Sequence, residues 1–462
     1  MNPRSIVRST LAALACLGIT SLTFADDEEK KWSIEEAKAP TNSLAFTATE
    51  GTWMAVDVSP DGEHLVFDLL GHIYEMPIGG GEATRLTDGR SWNMQPRYAP
   101  DGSRIAFTSD RSGSDDLWVI DRVTGELEQI SEKPLPVYRP TWAADGGALY
   151  GSLLTQAAAT EIHVFDFHGS SQKLVDGGFF TPGGGAQEDP ERGLLYFDLN
   201  DGNLYASGPK IKTLDTQTGE VEVFVDRSGG GFSPALSPDG NRLAYLNRAD
   251  QETVLVVEDL DTRKNRIVSR NIDRDRLEYK AYQYEIYPGM AWHPDGDEIF
   301  ISYGGQIHAI NVDSGKDRVV AFEAPVEREI NETLRFAIDI PDGTTTTRLH
   351  RWGTRTPDGV LFEALGDLWM HDGDGARRLT DTAAHETSPV YSPADGRVYF
   401  ARWSDDELGS VGSMNPDGRR ERRLTTQPSQ YGSLAVAPGD DALAYLRGRG
   451  SLLNGGLIEQ QA

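Results

Sequence analysis

Cysteine is all but missing from this sequence: the single one among 462 residues, Cys16, falls in an apolar stretch near the start. A chain processed past that point would have no thiol, which excludes disulfides and thiol catalysis. No later run approaches the ~20 apolar residues that a membrane-crossing helix needs. Basic residues are also short, with 44 Lys and Arg against 72 Asp and Glu and a net charge of −28. Such a surface repels nucleic acid and anionic lipid, so nucleic-acid binding is excluded and the acids read as a solvated face.

The usual marks of catalysis are lacking too. None of the nine histidines forms His-x-His or the H-E-x-x-H of a zinc helix. The nearest string to a G-x-S-x-G nucleophile elbow, Gly231-Phe232-Ser233-Pro234-Ala235, lacks its last glycine. The Asp-rich stretches 371–375 and 198–203 miss the ligand spacing of a calcium loop and read as hairpin turns. We therefore assign no catalytic, cofactor-binding or metal-ligating residue, and whether the chain belongs to an enzyme stays open.

What is there begins with a leader. Arg4 and Arg8 precede the apolar run Leu11 to Ile19, and Thr23-Phe24-Ala25 supplies a small-residue cleavage site. Residues 1–25 read as a secretory signal peptide, and the expected localisation is periplasmic or secreted. A lipid attachment at Cys16 is the weaker reading, because Ala13 stands where such a motif wants leucine.

The dominant feature is a repeat. A turn phrase recurs with its second position at Pro60, Pro100, Ala144, Pro190, Pro238, Pro294, Pro357, Pro393 and Pro438. Its fullest form, Ser-Pro-Asp-Gly, suits a type I turn: proline presets φ, and Asp and Gly follow where the chain bends. Short apolar strands come next, such as Leu65-Val66-Phe67 and Leu243-Ala244-Tyr245. Arg85-Leu86-Thr87, Arg378-Leu379-Thr380 and Arg423-Leu424-Thr425 stand at one fixed distance before the next turn. A period near 40–50 residues with Gly-rich turns predicts an all-β propeller of four-stranded blades.

These phrases, with the stretches 46–62, 67–87, 107–113, 287–296 and 355–370, resemble the repeats of TolB-like propellers. The resemblance is nearest to the propeller region of exported amidohydrolase-family proteins. It implies a non-catalytic propeller that binds a protein partner, or screens substrates for an attached hydrolase domain. A metal-dependent hydrolase of C–N bonds whose barrel lies outside this chain, and a gate of the prolyl-oligopeptidase kind, are the alternatives.

We expect a linker at 26–44, a six-bladed ring over 45–326, and further blades over 327–462 with the last one incomplete. One eight-bladed ring is the alternative. The wide gap before Pro357 is expected to hold an extra strand-like piece, Leu334 to Ile340. Two candidate binding features remain. Asp110 and Arg111 follow a strand and can lock a hairpin or present a guanidinium. Tyr279, Tyr282, Tyr284 and Tyr287 crowd the insertion at 270–289 and suit a docking surface or a self-packed loop.

Overall fold

The computed structural model describes residues 33–36, 39–156, 159–177, 185–199, 209–249, 252–276, 285–332, 337–340, 342–344, 346–437, 442–449 and 459–461. The leader, Tyr279, Tyr282 and Tyr284 lie outside them. Among the described residues there is no helix, and so none long and apolar enough to cross a membrane.

The turn phrase does what its residues dictate. The N–H of Gly62, Gly102, Gly240 and Gly296 each donates to the carbonyl three residues back at 2.8 Å, and each glycine has φ between +68° and +79°. Ser59 Oγ donates to Asp61 Oδ1 (2.5 Å) and accepts from the His64 N–H (2.9 Å), tying the turn to the strand that follows. The threonine of the Arg-Leu-Thr phrase is a strand clip. Thr87, Thr380 and Thr425 accept on Oγ1 from the N–H of Ile73, Leu368 and Val411 at 2.9–3.0 Å.

Six four-stranded antiparallel sheets follow one another from Val56 to Val320. Blade 1 spans Val56 to Arg85, blade 2 Asn93 to Gln129, blade 3 Val137 to Asp176, blade 4 Gln187 to Val225, blade 5 Phe232 to Ile272 and blade 6 Ala291 to Val320. Blade 4 forms although its repeat is degraded. Each blade is apolar on both faces, because it is sandwiched between neighbours. Val66 and Ile73 of blade 1 pack with Ile105 and Phe107 of blade 2, and comparable clusters fill the next four interfaces.

The sixth interface decides the blade number. Leu65 and Phe67 of blade 1 share one core with Phe300, Ile307 and Val320 of blade 6, and the Val56 N–H donates to the Gly289 carbonyl (3.1 Å). The ring closes at six, which overturns the eight-bladed alternative.

Closure is reinforced by a clasp. The Thr41–Ala48 strand pairs antiparallel with the Phe322–Asn331 strand along its whole length, Thr41 opposite Asn331 and Ala48 opposite Ala324. Phe322 also pairs parallel with Gly81, and its ring lies 5.1 Å from that of Phe67. The clasp straddles both expected domain borders. Of the extra strand expected at Leu334–Ile340, residues 334–336 lie outside the described residues, residues 337–340 carry no strand, and Ile338 and Ile340 are exposed; an additional strand lies at Phe322–Asn331, where apolar and polar residues alternate.

Beyond the ring, two four-stranded sheets (Arg351 to Arg378 and His385 to Arg423) and a three-stranded one (Gln430 to Gln461) follow. Leu361 and Leu368 pack with Val398 and Phe400, and Val411 packs with Leu434.

Candidate functional site

The innermost strand of most blades bulges at one fixed place, five residues before the turn proline. Gln95, Arg139 and Ser233 occupy it with φ of +60°, +57° and +52°, and Gly185, just ahead of the first strand of blade 4, has φ +94°. The ladder register shifts beside Gln95, Arg139 and Ser233. A bulge turns backbone amides and side chains away from the ladder, here toward the ring axis.

Those groups join in a hydrogen-bonded girdle that passes through all six blades. Asp68 accepts from the N–H of Ala55 (2.9 Å) and of Gln95 (2.6 Å). Gln95 Oε1 accepts from the Arg139 N–H (2.9 Å) and from Thr108 Oγ1 (3.0 Å). Arg139 Nη1 donates to Asp198 (3.3 Å), whose other oxygen takes the Ser233 N–H (3.4 Å). Ser233 Oγ donates to the Tyr287 carbonyl (3.2 Å), the Tyr287 hydroxyl to the Ser302 carbonyl (2.8 Å), and Ser302 Oγ to the Met54 carbonyl (2.6 Å). Met54 precedes Ala55, so the circuit closes.

Two guanidiniums and several carboxyls sit in or against this girdle. Gln95 Nε2 donates to Glu285 Oε2 (3.0 Å), and Arg97 Nη1 donates to the Val56 carbonyl (2.8 Å). Burial pushes the Asp68 carboxyl up to about 7, helped by the neighbouring Glu285 charge. Burial also raises Glu285 and Asp198, against the opposing pull of Arg139. Each guanidinium lies over a glycine: a Cβ on Gly289 would meet Arg97 Nη2 at 1.8 Å, and one on Gly185 would meet Arg139 Nη2 at 2.4 Å. The axial space among Arg97, Arg139, Thr141, Gln187, Pro234 and Glu285 is a constriction of about 20 Å³, roughly the room one water occupies.

Of the residues singled out in the sequence, Asp110 and Arg111 lie elsewhere. Asp110 Oδ1 accepts from the Trp92 N–H (2.7 Å). Arg111 donates to Ser109 Oγ (3.0 Å) and Asn93 Oδ1 (2.7 Å), with its guanidinium over the Phe107 and Trp118 rings. The pair clamps the first two strands of blade 2 from the side, each residue through its own partner. Tyr287 is buried, tilted against Trp53 at 5.2 Å, and is a member of the girdle, not part of an exposed face.

Sequence reasoning missed Asp68, Gln95, Arg139, Asp198 and Glu285. A signal existed: Asp68 and Asp198 both stand eight residues after their turn proline. Asp61, Glu63 and His64 present ligand atoms within 4.8 Å of one another, but Asp61 already serves the turn as acceptor.

The sequence profile of the TolB beta propeller domain matches residues 19–190. The chain is 26% identical over 175 residues to the uncharacterized peptidase YuxL of Bacillus subtilis, a match covering 37% of this chain and 24% of that protein. It is 29% identical over 196 residues to the uncharacterized protein Atu1656 of Agrobacterium fabrum, covering 41% and 52%. The chain thus spans about a quarter of the first relative's length and half of the second's. Among solved structures, TolB from Acinetobacter baumannii superposes with a TM-score of 0.46 at 17% identity, over 59% of this chain and 66% of that one.

Proposed function

We propose that this chain, a closed β-propeller whose phased repeats and matching profile over residues 19–190 are TolB-like, is a scaffold that binds a protein partner or gates substrate at its axis. The observation that carries this reading is the charged constriction. Arg97, Arg139 and Glu285 meet where the bore narrows to about 20 Å³, on a girdle held by every blade. A rigid ring fixes these groups while its loops are free to vary, and that combination suits selection at a mouth.

The protein would act outside the cytoplasm, periplasmic or secreted, in keeping with the leader-like residues 1–25. The likeness to the Bacillus relative, an uncharacterized peptidase, favours a form of the same reading in which the ring gates an attached hydrolase. An amidohydrolase as that partner rests on the sequence resemblance.

Photo-crosslinking tests this. A benzoylphenylalanine at Thr141, which lines the constriction, is expected to capture a protein that the same probe at Val221, on the exposed outer strand of blade 4, does not. Identical adducts from both positions, or none from Thr141, would sink the axial reading.

A further inference from the structure

Between the clasp and blade 1 lies an open cavity of about 470 Å³, within the range of small-ligand sites. Three arginines reach it, which is notable in so acidic a chain. Arg85 is neutralised by Asp88 (2.8 Å) and approached by Glu327 (3.7 Å). Arg90 instead donates to the Glu329 carbonyl (3.3 Å) and to Asn331 Oδ1 (2.5 Å). Arg328 donates to the Gly89 carbonyl (3.2 Å) and faces His72 Nε2 (3.0 Å). Among the described residues neither the Arg90 nor the Arg328 guanidinium has a carboxylate within 4 Å, although the cavity is also lined by Glu327 and Glu329, and Glu329 feels the Arg90 charge from farther off. His72 is buried and supplies no counter-charge; burial and the nearby arginines hold its pKa down at about 4.

A second observation shows what such a place takes. The loop at this cavity already holds a carboxylate: the N–H groups of Arg90 and Ser91 donate to the two oxygens of Glu35 at 2.6 and 3.3 Å. Gly89, at φ +90°, lets Glu35 approach, for a Cβ there would meet its carboxylate at 2.4 Å. Successive backbone N–H groups in a turn make an anion-binding concavity. The positive field of Arg111 reaches the same carboxylate from blade 2.

The cavity exceeds one carboxyl group, and beside it the Thr41–Ala48 strand shows Leu44 and Phe46 to solvent. We propose that the Gly89–Ser91 loop, with Arg90 and Arg328, is a carboxylate-binding site for an acidic extended peptide, and that Glu35 fills it in cis. An incoming peptide must displace Glu35, so the intact chain binds it weakly.

The probe is acetyl-Ile-Glu-Glu-amide, titrated by calorimetry into the full chain, with acetyl-Ile-Gln-Gln-amide and inorganic phosphate as controls. E35Q is expected to bind the Glu peptide about tenfold more tightly than the unaltered chain, a shift in Kd that calorimetry resolves. In E35Q the Gln peptide should give no heat and phosphate should bind more weakly than the Glu peptide. E35Q/R328M should lose about tenfold, and E35Q/R328K, which keeps the charge without the planar fork, should fall between. Equal binding of Glu and Gln peptides to E35Q, phosphate binding as tight as the peptide, or indifference to R328M in a variant whose melting curve is unchanged would each overturn the assignment. Should R328M unfold the chain, the R328K result decides alone.

Discussion

Asp68 of blade 1 accepts the N–H of Gln95 of blade 2 at 2.6 Å while holding Ala55 of its own blade at 2.9 Å. One carboxyl thus satisfies two buried amides on two blades. Removing it by Asp68→Ala strands both donors away from water, at a cost of about 1–3 kcal/mol for each one left unpaired. We expect a loss of about 2 kcal/mol or more in urea unfolding; a loss below 0.5 kcal/mol would mean that the girdle does not hold the blades together.

The same carboxyl makes stability pH-dependent. Its folded pKa of about 7 stands above the ordinary 3.8, so between those values the folded ring keeps a proton that the unfolded chain has lost. The stability this group contributes is full below about pH 4 and is lost as pH rises through 7. The melting temperature of the unaltered protein minus that of Asp68→Asn should therefore fall from pH 4.5 to pH 7.5. A constant difference would contradict the shift.

At the root of the Tyr-rich insertion, Arg248 is fully buried against Asp275, Nε to Oδ2 at 2.9 Å, with Thr253 Oγ1 donating to the same carboxylate at 2.8 Å. Breaking such a pair leaves a buried charge alone, which costs about 3–5 kcal/mol, whereas removing both charges costs less. Asp275→Ala should be markedly less stable than Arg248→Met/Asp275→Leu in chemical denaturation. The reverse order would show that the pair is not what anchors this root.

Gly289→Ala separates bore from scaffold. The new methyl first meets the tip of Arg97, and swinging that tip away gives up its hydrogen bond to the Val56 carbonyl, so the melting temperature should drop modestly, by the equivalent of about 1 kcal/mol. Crosslinking from Thr141 should change, because the charge at the constriction moves. A large thermal loss with unaltered crosslinking would count against the bore as the working site.

The tyrosines should divide by position. Tyr287→Ala empties a buried site and should cost about 3–5 kcal/mol, the range for large buried rings. Tyr282→Ala/Tyr284→Ala should weaken partner capture without lowering the melting temperature. Loss of melting temperature with unchanged capture would show that these two pack the loop.

Much of the fold was legible because its turns repeat in phase. Proline and glycine write backbone geometry directly into sequence, so blades could be counted even where, as at Pro190, the phrase had decayed. The clasp was not legible. In Thr41–Ala48, two of eight residues are large and apolar, and the pairing that makes this a strand comes from Phe322–Asn331, far along the chain. The girdle was hidden for another reason. Three of its members share a position in the repeat but not a residue type: Gln95, Arg139 and Ser233 take the same bulge with unlike side chains. Asp110 and Arg111 drew notice because a charged pair stands out in sequence, yet their partners, Trp92 and Asn93, lie at the entry to the neighbouring strand.

The clasp also sets a clock. A ribosome delivers residues in order, and blade interfaces can form one after another as neighbours emerge. The pairing of Thr41–Ala48 with Phe322–Asn331 must wait until all six blades have been made. Contacts between chain segments so far apart form slowly, since the entropy of closing the long loop is lost before any contact forms. Until then the first blade shows a bare apolar flank that includes Leu65 and Phe67, and a strand edge that invites pairing with other chains. The nascent ring is thus most exposed to aggregation just before it shuts, and agents that shield apolar surface should raise its yield most in that interval.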